Sequence, residues 1–285
     1  MIALGVDVGA TRKGLDAVVL DASMSIVETR RRLEAEDIGD LIEEIPPDIV
    51  AIDAPPAWGR SPGGSRLTER EIRRFGIQSF GTPSDPKKAE NAFYDWMRAG
   101  FLVFEVAARH GFGRYRGGRA HRTAIEVFPH ATAVVLSGCL QPKSARKRQW
   151  RAAVLTARGV DADRLRSMDQ VDAALAALTG LFALGGRFSA LGDPKEGVIV
   201  LPSARLPARP YAPCERPPAP ENQPHLPGLS PCRCGDPTCG ELTGGEFARG
   251  HDAKRKAILW RVAREGDEAV RELRRRGWDL PAEMR

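Results

Sequence analysis

Five acids sit where an acid is costly. Asp7 ends an apolar run in Gly5-Val6-Asp7-Val8-Gly9, and Asp53 does so in Val50-Ala51-Ile52-Asp53-Ala54-Pro55-Pro56. Glu126 lies inside Ala124-Ile125-Glu126-Val127-Phe128-Pro129. A carboxylate among apolar strand residues is expensive unless it is paired or bound to a metal. If the three strands are neighbours in one sheet, these groups converge near one edge. Met168-Asp169-Gln170-Val171-Asp172 then opens a helix with acids at i and i+3, which share one face of the first turn. Asp169 taken alone is equally an ordinary helix N-terminal acid favoured by the dipole, and Asp7 alone reads as a turn residue. Asp172 precedes Ala-Ala-Leu-Ala-Ala-Leu and falls on the packed side, so a capping role does not explain it. Clustered carboxylates repel and raise each other's pKa unless a divalent cation offsets them. Mg²⁺ or Mn²⁺ suits an oxygen-only site, and two such ions about 4 Å apart can activate water and stabilise the leaving oxygen of a phosphodiester.

A second set of residues matches a phosphate backbone. Between Gly111 and Met168 there are 12 Lys+Arg against 3 Asp+Glu, about +9 for this stretch. Arg114, Arg116, Arg119 and Arg122 lie in a Gly-rich run with Tyr115, of which Gly111–Gly118 reads as a mobile loop. Lys143, Arg146, Lys147, Arg148 and Arg151 sit near the start of a helix. Both groups flank Glu126 in sequence. Taken alone they are a solvated basic surface; beside an acidic cluster they read as a substrate-binding surface for DNA or RNA, with salt-sensitive affinity.

The third set is sulfur-rich. Cys232, Cys234, Cys239 and His251 follow the spacing Cys-x-Cys-x4-Cys-x11-His, enough for one tetrahedral structural Zn²⁺. Cys214 or His225 are alternative fourth ligands, and three free thiols in a flexible tail is the plain reading. A helix from Asp252 to Arg276 follows, with Ile258, Leu259, Val262, Val270 and Leu273 as its apolar stripe.

The elements that must position these residues follow from pattern. Ile2 to Val8, Leu15 to Leu20 and Ser25 to Arg31 read as an antiparallel meander with turn residues between them. Glu34 to Ile45 is a short helix stopped by Pro46-Pro47, and Asp48 to Ala54 is a fourth strand apolar enough for the middle of a covered sheet. Leu67 to Phe75 and Ala89 to His110 have helical spacing. Thr123 to Phe128 is a fifth strand, and Ser144 to Arg158 and Ser167 to Leu184 are helices. The order is that of a mixed α/β sheet flanked by helices, without strict β-α alternation. Ten of the 22 prolines fall between Leu201 and Pro231, so that stretch is neither a helix interior nor a central strand. It is a connector or a tail wrapping the first domain. This divides the chain into a domain over 1–202, a Pro-rich linker over 203–231 and a small Cys/His-containing helical module over 232–285.

Composition bounds the class. The 285 residues carry 28% charged and 42% hydrophobic side chains and a net charge of +6, as expected of a packed soluble protein. No run of about 18 apolar residues is present, so no spanning helix and no membrane partner are expected. Met1-Ile2-Ala3-Leu4-Gly5 has neither a basic n-region nor a long apolar h-region, which predicts no signal peptide and a cytoplasmic chain.

With these residues in place, the chain resembles a known set of proteins. The acid ending the first strand, the acid on the fourth and the Asp-x-x-Asp helix look like the ribonuclease H-like superfamily. Asp169-Gln-Val-Asp172-Ala-Ala-Leu-Ala-Ala-Leu-Thr is similar to the terminal catalytic helix of its Holliday-junction resolvases. A closer resemblance is to the predicted-nuclease family named domain of unknown function 429. Its marks occur in order over roughly 1–202: Gly5-Val-Asp7, Ile52-Asp53-Ala-Pro, Arg66-x-x-Glu69-x-x-x-Arg73, Gly76-Ile77, Thr82-Pro83 and Trp96. They continue as Ile125-Glu126-Val-Phe-Pro129, Lys147 to Arg151, Asp169-x-x-Asp172-Ala173 and Gly192-Asp193-Pro-Lys-Glu196-Gly197-Val-Ile-Val-Leu-Pro202. One departure is Gly9-Ala10-Thr11-Arg12-Lys13-Gly14, where the family often has Gly-Cys-Arg-Gly-Gly-Trp.

The resemblance implies a ribonuclease H-like fold and a metal-dependent phosphodiester hydrolase. Asp7, Asp53 and Asp172 match the superfamily's metal positions best; Glu126 and Asp169 are auxiliary ligands or bases. Two other functions compete. A phosphotransferase or ATPase would use Gly5-Val-Asp7-Val-Gly9-Ala-Thr11-Arg as a phosphate loop, although no second phosphate loop and no adenosine motif follow. A non-catalytic nucleic-acid binder would use the basic stretch and the zinc module.

Overall fold

The computed structural model describes residues 1–9, 13–60, 64–84 and 90–214, together with the backbone of two short strands at 230–231 and 242–243. The chain divides into two compact units, Met1–Cys214 and Glu215–Arg285. In the second, β9 (Ser230–Pro231) pairs antiparallel with β10 (Leu242–Thr243). The zinc residues Cys232, Cys234, Cys239 and His251, the alternative ligand His225 and the Asp252–Arg276 helix lie outside the described residues. Among the described residues no helix is long and apolar enough to cross a membrane.

The first unit is a mixed α/β layer structure. It runs β1 (Ile2–Val8), β2 (Leu15–Asp21), β3 (Ile26–Leu33), α1 (Ala35–Glu44), β4 (Ile49–Asp53) and α2 (Leu67–Arg74). After a 3-10 turn at Ala92–Tyr94 come α3 (Asp95–Arg109), β5 (Gly113–Arg114), β6 (Thr123–Val127) and α4 (Pro129–Ser137). The unit closes with α5 (Lys147–Thr156), α6 (Met168–Leu184), β7 (Ser189–Asp193) and β8 (Gly197–Leu201). The sheet order is β3-β2-β1-β4-β6-β8-β7, with β5 beside the start of β6. β1, β4, β6 and β8 are parallel; β2, β3 and β7 run antiparallel to their neighbours.

Four of these elements were not in the pattern read from sequence. α4 has helix punctuation, with proline at its first position and Gly138 closing it in the left-handed region at φ 75°. The β7–β8 hairpin is the Gly192–Pro202 motif, whose fully buried Val198-Ile199-Val200 reads equally as a strand or a core segment. The short β5 has too few residues to show a period. The expected helix from Ala89 begins at Asp95 instead.

Residues alternate between two covered faces. Ala3, Ile49, Ala51, Ile125 and Val127 pack with α6 on one side. Leu4, Val6, Val50, Ile52 and Ala124 pack with α1 and α3 on the other. The small residues of α6 let it lie directly on the sheet centre. A Cβ at Gly5 would run into the Ala173 carbonyl and the Ala177 amide of α6. That close approach carries the acidic start of α6 to the end of β1.

The first unit extends past the start of the Pro-rich stretch. Tyr211 donates to the Phe75 carbonyl, and Leu140 exchanges backbone hydrogen bonds with Ala212 and Cys214. Cys139 and Cys214 form a disulfide with Cα atoms 4.8 Å apart. Cys214 is therefore engaged with Cys139 and is not a free thiol for a zinc site.

Candidate active site

β1 and β4 pair in parallel with Asp7 directly opposite Asp53. Strand alternation explains why both acids face the same way. Asp7 follows Ala3 and Gly5 in parity, and Asp53 follows Ile49 and Ala51, all on the face covered by α6. α6 is held at its N-terminus by a capping box, in which the Ser167 hydroxyl accepts from the Gln170 amide and the Gln170 carboxamide accepts from the Ser167 amide. This fixes Asp169 and Asp172 at the mouth of the same site. The cleft has a volume of about 490 Å³, and all five predicted acids line it, together with Lys13, Phe80, Trp96, His130, Lys147 and Arg151.

Each acid has a different partner. Asp172, 6% exposed, accepts from Arg151 Nη1 at 2.5 Å. Asp169 accepts from Lys13 Nζ at 2.7 Å. Glu126 has the opposite strand parity, alternating with Ile125 and Val127, and both its oxygens accept from Arg66 at 2.8 and 2.5 Å. Asp7 and Asp53 differ: neither has a hydrogen bond or an ion pair with a described residue.

The electrostatics follow from that inventory. Burial, then repulsion from Asp53, Asp172 and Asp169, pushes the Asp7 carboxyl well above the usual carboxylate range. Burial and the Asp172 charge push Asp53 well up too, with the Arg151 and Lys147 cations pulling the other way. Burial raises Asp172 and Glu126 against the pull of Arg151 and Arg66 respectively. Burial and the cations of Arg151 and Lys147 hold the His130 imidazole down at about 4, so it is neutral at physiological pH.

Among the described residues no three His, Cys, Asp or Glu side chains are grouped as a ready metal set. Three of the five acids have turned to protein cations. The donor chemistry nevertheless fits a hard divalent ion: Asp7, Asp53 and Asp172 are all oxygen donors, two of them without a cation among the described residues bonded to them.

Sequence pattern missed several neighbours of these acids. Arg66 is 1% exposed and joins Glu126 to Glu69, whose oxygens also accept from the Thr82 amide and hydroxyl. The Arg66-x-x-Glu69 spacing was visible, but its link to Glu126 spans 60 residues. His130 and Lys13 carried no signal beyond their residue types. Of the basic residues, Lys147 and Arg151 reach the cleft. Arg114 lies on β5 near Glu126, with Nη2 buried and without a hydrogen-bond partner among the described residues. Arg148 donates to the Leu165 carbonyl, and Lys143 is exposed.

The structure does not bring Arg116, Arg119 and Arg122 to the cleft. The Arg122 amide donates to the Asp48 carbonyl, and its guanidinium lies 4.4 Å from the Phe112 ring centroid. Arg119 lines a separate pocket with Met1 and Asp48. The partners of Arg119 and Arg122 mark the start of the parallel strands, the opposite sheet edge from Asp7 and Asp53, whereas Arg116 lies near Arg114, outside the cleft lining.

Residues 5–196 match the family model described as "Protein of unknown function (DUF429)". The chain belongs to the DUF429 family. The matched span of this DUF429 chain contains every acid of the cleft and both Arg66 and Arg151, and it ends before the cysteine cluster. No curated protein matches the chain. Among solved structures, Thermus thermophilus RuvC in complex with a Holliday junction substrate aligns at 14% identity and TM-score 0.37, covering 65% of the DUF429 chain and 97% of that chain. Another Thermus thermophilus RuvC structure aligns at 13% identity and TM-score 0.36, with the same coverage.

Proposed function

We propose that this protein is a metal-dependent nuclease with a ribonuclease H-like core, hydrolysing phosphodiester bonds of DNA or RNA in the cleft between β1, β4 and α6. The observation that carries this reading is the Asp7–Asp53 pair: two register-partner carboxylates, pushed up by burial and by neighbouring carboxylates, with no cation among the described residues bonded to either. Asp7, Asp53 and Asp172 would hold Mg²⁺ or Mn²⁺. The bound metal would activate water and stabilise the leaving oxygen.

The chain's own residues do the rest. Lys147 and Arg151 set positive charge along the cleft wall for the phosphate flanking the scissile bond. Lys13 holds Asp169 and offers the same charge from the β1–β2 turn. Arg66 takes both Glu126 oxygens, which assigns Glu126 to positioning the end of β6 beneath the cleft. The zinc site of Cys232, Cys234, Cys239 and His251 belongs to this proposal on ligand spacing alone, as a structural site.

Purified protein incubated with labelled single- and double-stranded DNA and RNA tests the reading. Cutting is expected in Mn²⁺, lost in EDTA and lost in Asp53→Asn with its fold retained. Undiminished cutting by Asp7→Asn/Asp172→Asn would show that these acids are not the site. Absence of any cutting or metal binding by the native protein would overturn the nuclease reading.

A further inference from the structure

Beside the carboxylate cleft lies a chain of aromatic rings whose outer members face water. Phe80 is 67% and Phe93 51% exposed, unusual for two large apolar side chains in contact. Their ring centroids are 5.4 Å apart at 71°. Phe93 meets Tyr94 at 5.1 Å, Tyr94 meets Trp58 at 6.3 Å, and Trp58 meets Phe101 at 4.8 Å, all edge to face. The inner rings link Phe93, and through it Phe80, to Trp58 and Phe101. Phe80 also lines the cleft that holds Asp7 and Asp53, as does Trp96.

We propose that Phe80 and Phe93 form a stacking platform for unpaired bases next to the scissile phosphate, so that the substrate is single-stranded nucleic acid or an unpaired segment of a branched one. This deepens the nuclease reading and rests on it. An aromatic face stacks on any base, which makes such a platform sequence-tolerant. Bases inside a duplex present edges rather than faces, and the platform has nothing to stack on there. Charge favours nucleic acid over an apolar protein surface as the occupant. The same cleft carries Lys147, and Lys13 and Arg151 in their pairs with Asp169 and Asp172, as the cations a phosphate chain would meet beside the rings.

Anisotropy titrations of the full-length protein test this with a fluorescein-labelled single-stranded oligonucleotide and its duplex, in Ca²⁺ without Mg²⁺ or Mn²⁺. The native protein is expected to bind the single strand more tightly. Phe80→Ala and Phe93→Ala should each weaken single-strand binding about tenfold, the equivalent of ~1.4 kcal/mol per stacked base, and leave duplex binding unchanged. Phe80→Leu keeps apolar bulk without a π-face and should stay weak, whereas Phe80→Trp should restore binding. Circular dichroism melts confirm that these surface variants fold. If the native protein cuts nucleic acid but single-strand binding is indifferent to both rings, the platform is overturned, the rings fall to a protein partner, and the nuclease reading survives. If the native protein binds neither probe, the nuclease reading fails and takes the platform with it.

Discussion

Asp7 and Asp53 are register partners across a parallel strand pair, and no described residue bonds to either carboxylate. Both are raised, so the folded state binds protons that the unfolded chain has already released above the ordinary aspartate range near 3.9. Their contribution is complete at low pH and is lost as pH rises through the folded values. In EDTA the melting temperature should therefore fall as pH climbs out of the acid range. Asp53→Asn should flatten that dependence and raise the neutral-pH melting temperature by about 2–4 °C, the equivalent of ~1 kcal/mol. Mn²⁺ should stabilise the native protein and leave Asp53→Asn unmoved; equal stabilisation of both, in differential scanning fluorimetry, would remove Asp53 from the metal site.

The Arg66 fork is the sole described cation bonded to Glu69 and Glu126, and all three side chains are buried. Arg66→Met should leave two buried carboxylates uncompensated, at a cost of about 3–5 kcal/mol. Arg66→Lys keeps the charge but cannot bond both partners in a planar fork, so it should fall between the two. Urea unfolding measures all three proteins; an Arg66→Met loss below ~1 kcal/mol would mean that the acids find other partners.

His130 is held neutral, with its pKa near 4 against about 6.5 when free. A depressed histidine adds stability above the free value, and that stability is lost as pH falls from about 6.5 toward 4. The effect should not exceed ~3 kcal/mol, less what solvent at this partly exposed ring screens. NMR titration of the imidazole checks the value directly, and His130→Gln should remove the corresponding slope from stability against pH.

Gly5 lets the α6 backbone lie on β1. Gly5→Ala should cost at least about 3 kcal/mol, at the upper end for overpacking because rigid backbone faces the new methyl. It should also weaken Mn²⁺ binding by moving Asp172 away from Asp7. Calorimetric titration with Mn²⁺ at a temperature where the variant is folded separates the two effects.

Placement of the basic residues predicts a contrast in salt dependence. Lys147→Ala, at the cleft, should reduce the slope of log affinity against log salt by about 1. Arg119→Ala, at the far edge of the sheet, should leave it unchanged. The reverse result would put nucleic acid on the opposite face.

Much of this was legible along the chain. Acids at the ends of apolar strands, an Asp-x-x-Asp helix start and the proline-dense stretch are local patterns. They located the meander, the buried strand β4 and the helix α6 within a residue or two. The hairpin of Gly192–Pro202 and α4 went unread because a short apolar run has the same look in a strand, a helix or a core loop.

Which acids face each other was a different kind of question. Sequence shows that Asp7, Asp53 and Glu126 each interrupt an apolar strand, and it requires each to find a partner. The partner itself is a matter of register and parity. Glu126 is displaced by one residue in the strand alternation and meets Arg66, 60 residues away, while Asp7 and Asp53 share a face with each other and with the acidic start of α6. The same holds for the basic residues on either side of Glu126. A strand separates its two ends by about 3.3 Å per residue, so Arg122 and the carboxylate edge are held apart by the length of β6, while Arg151 returns to that edge through α5. Local chemistry determined what had to be satisfied; the pairing of distant strands and helices decided what satisfies it.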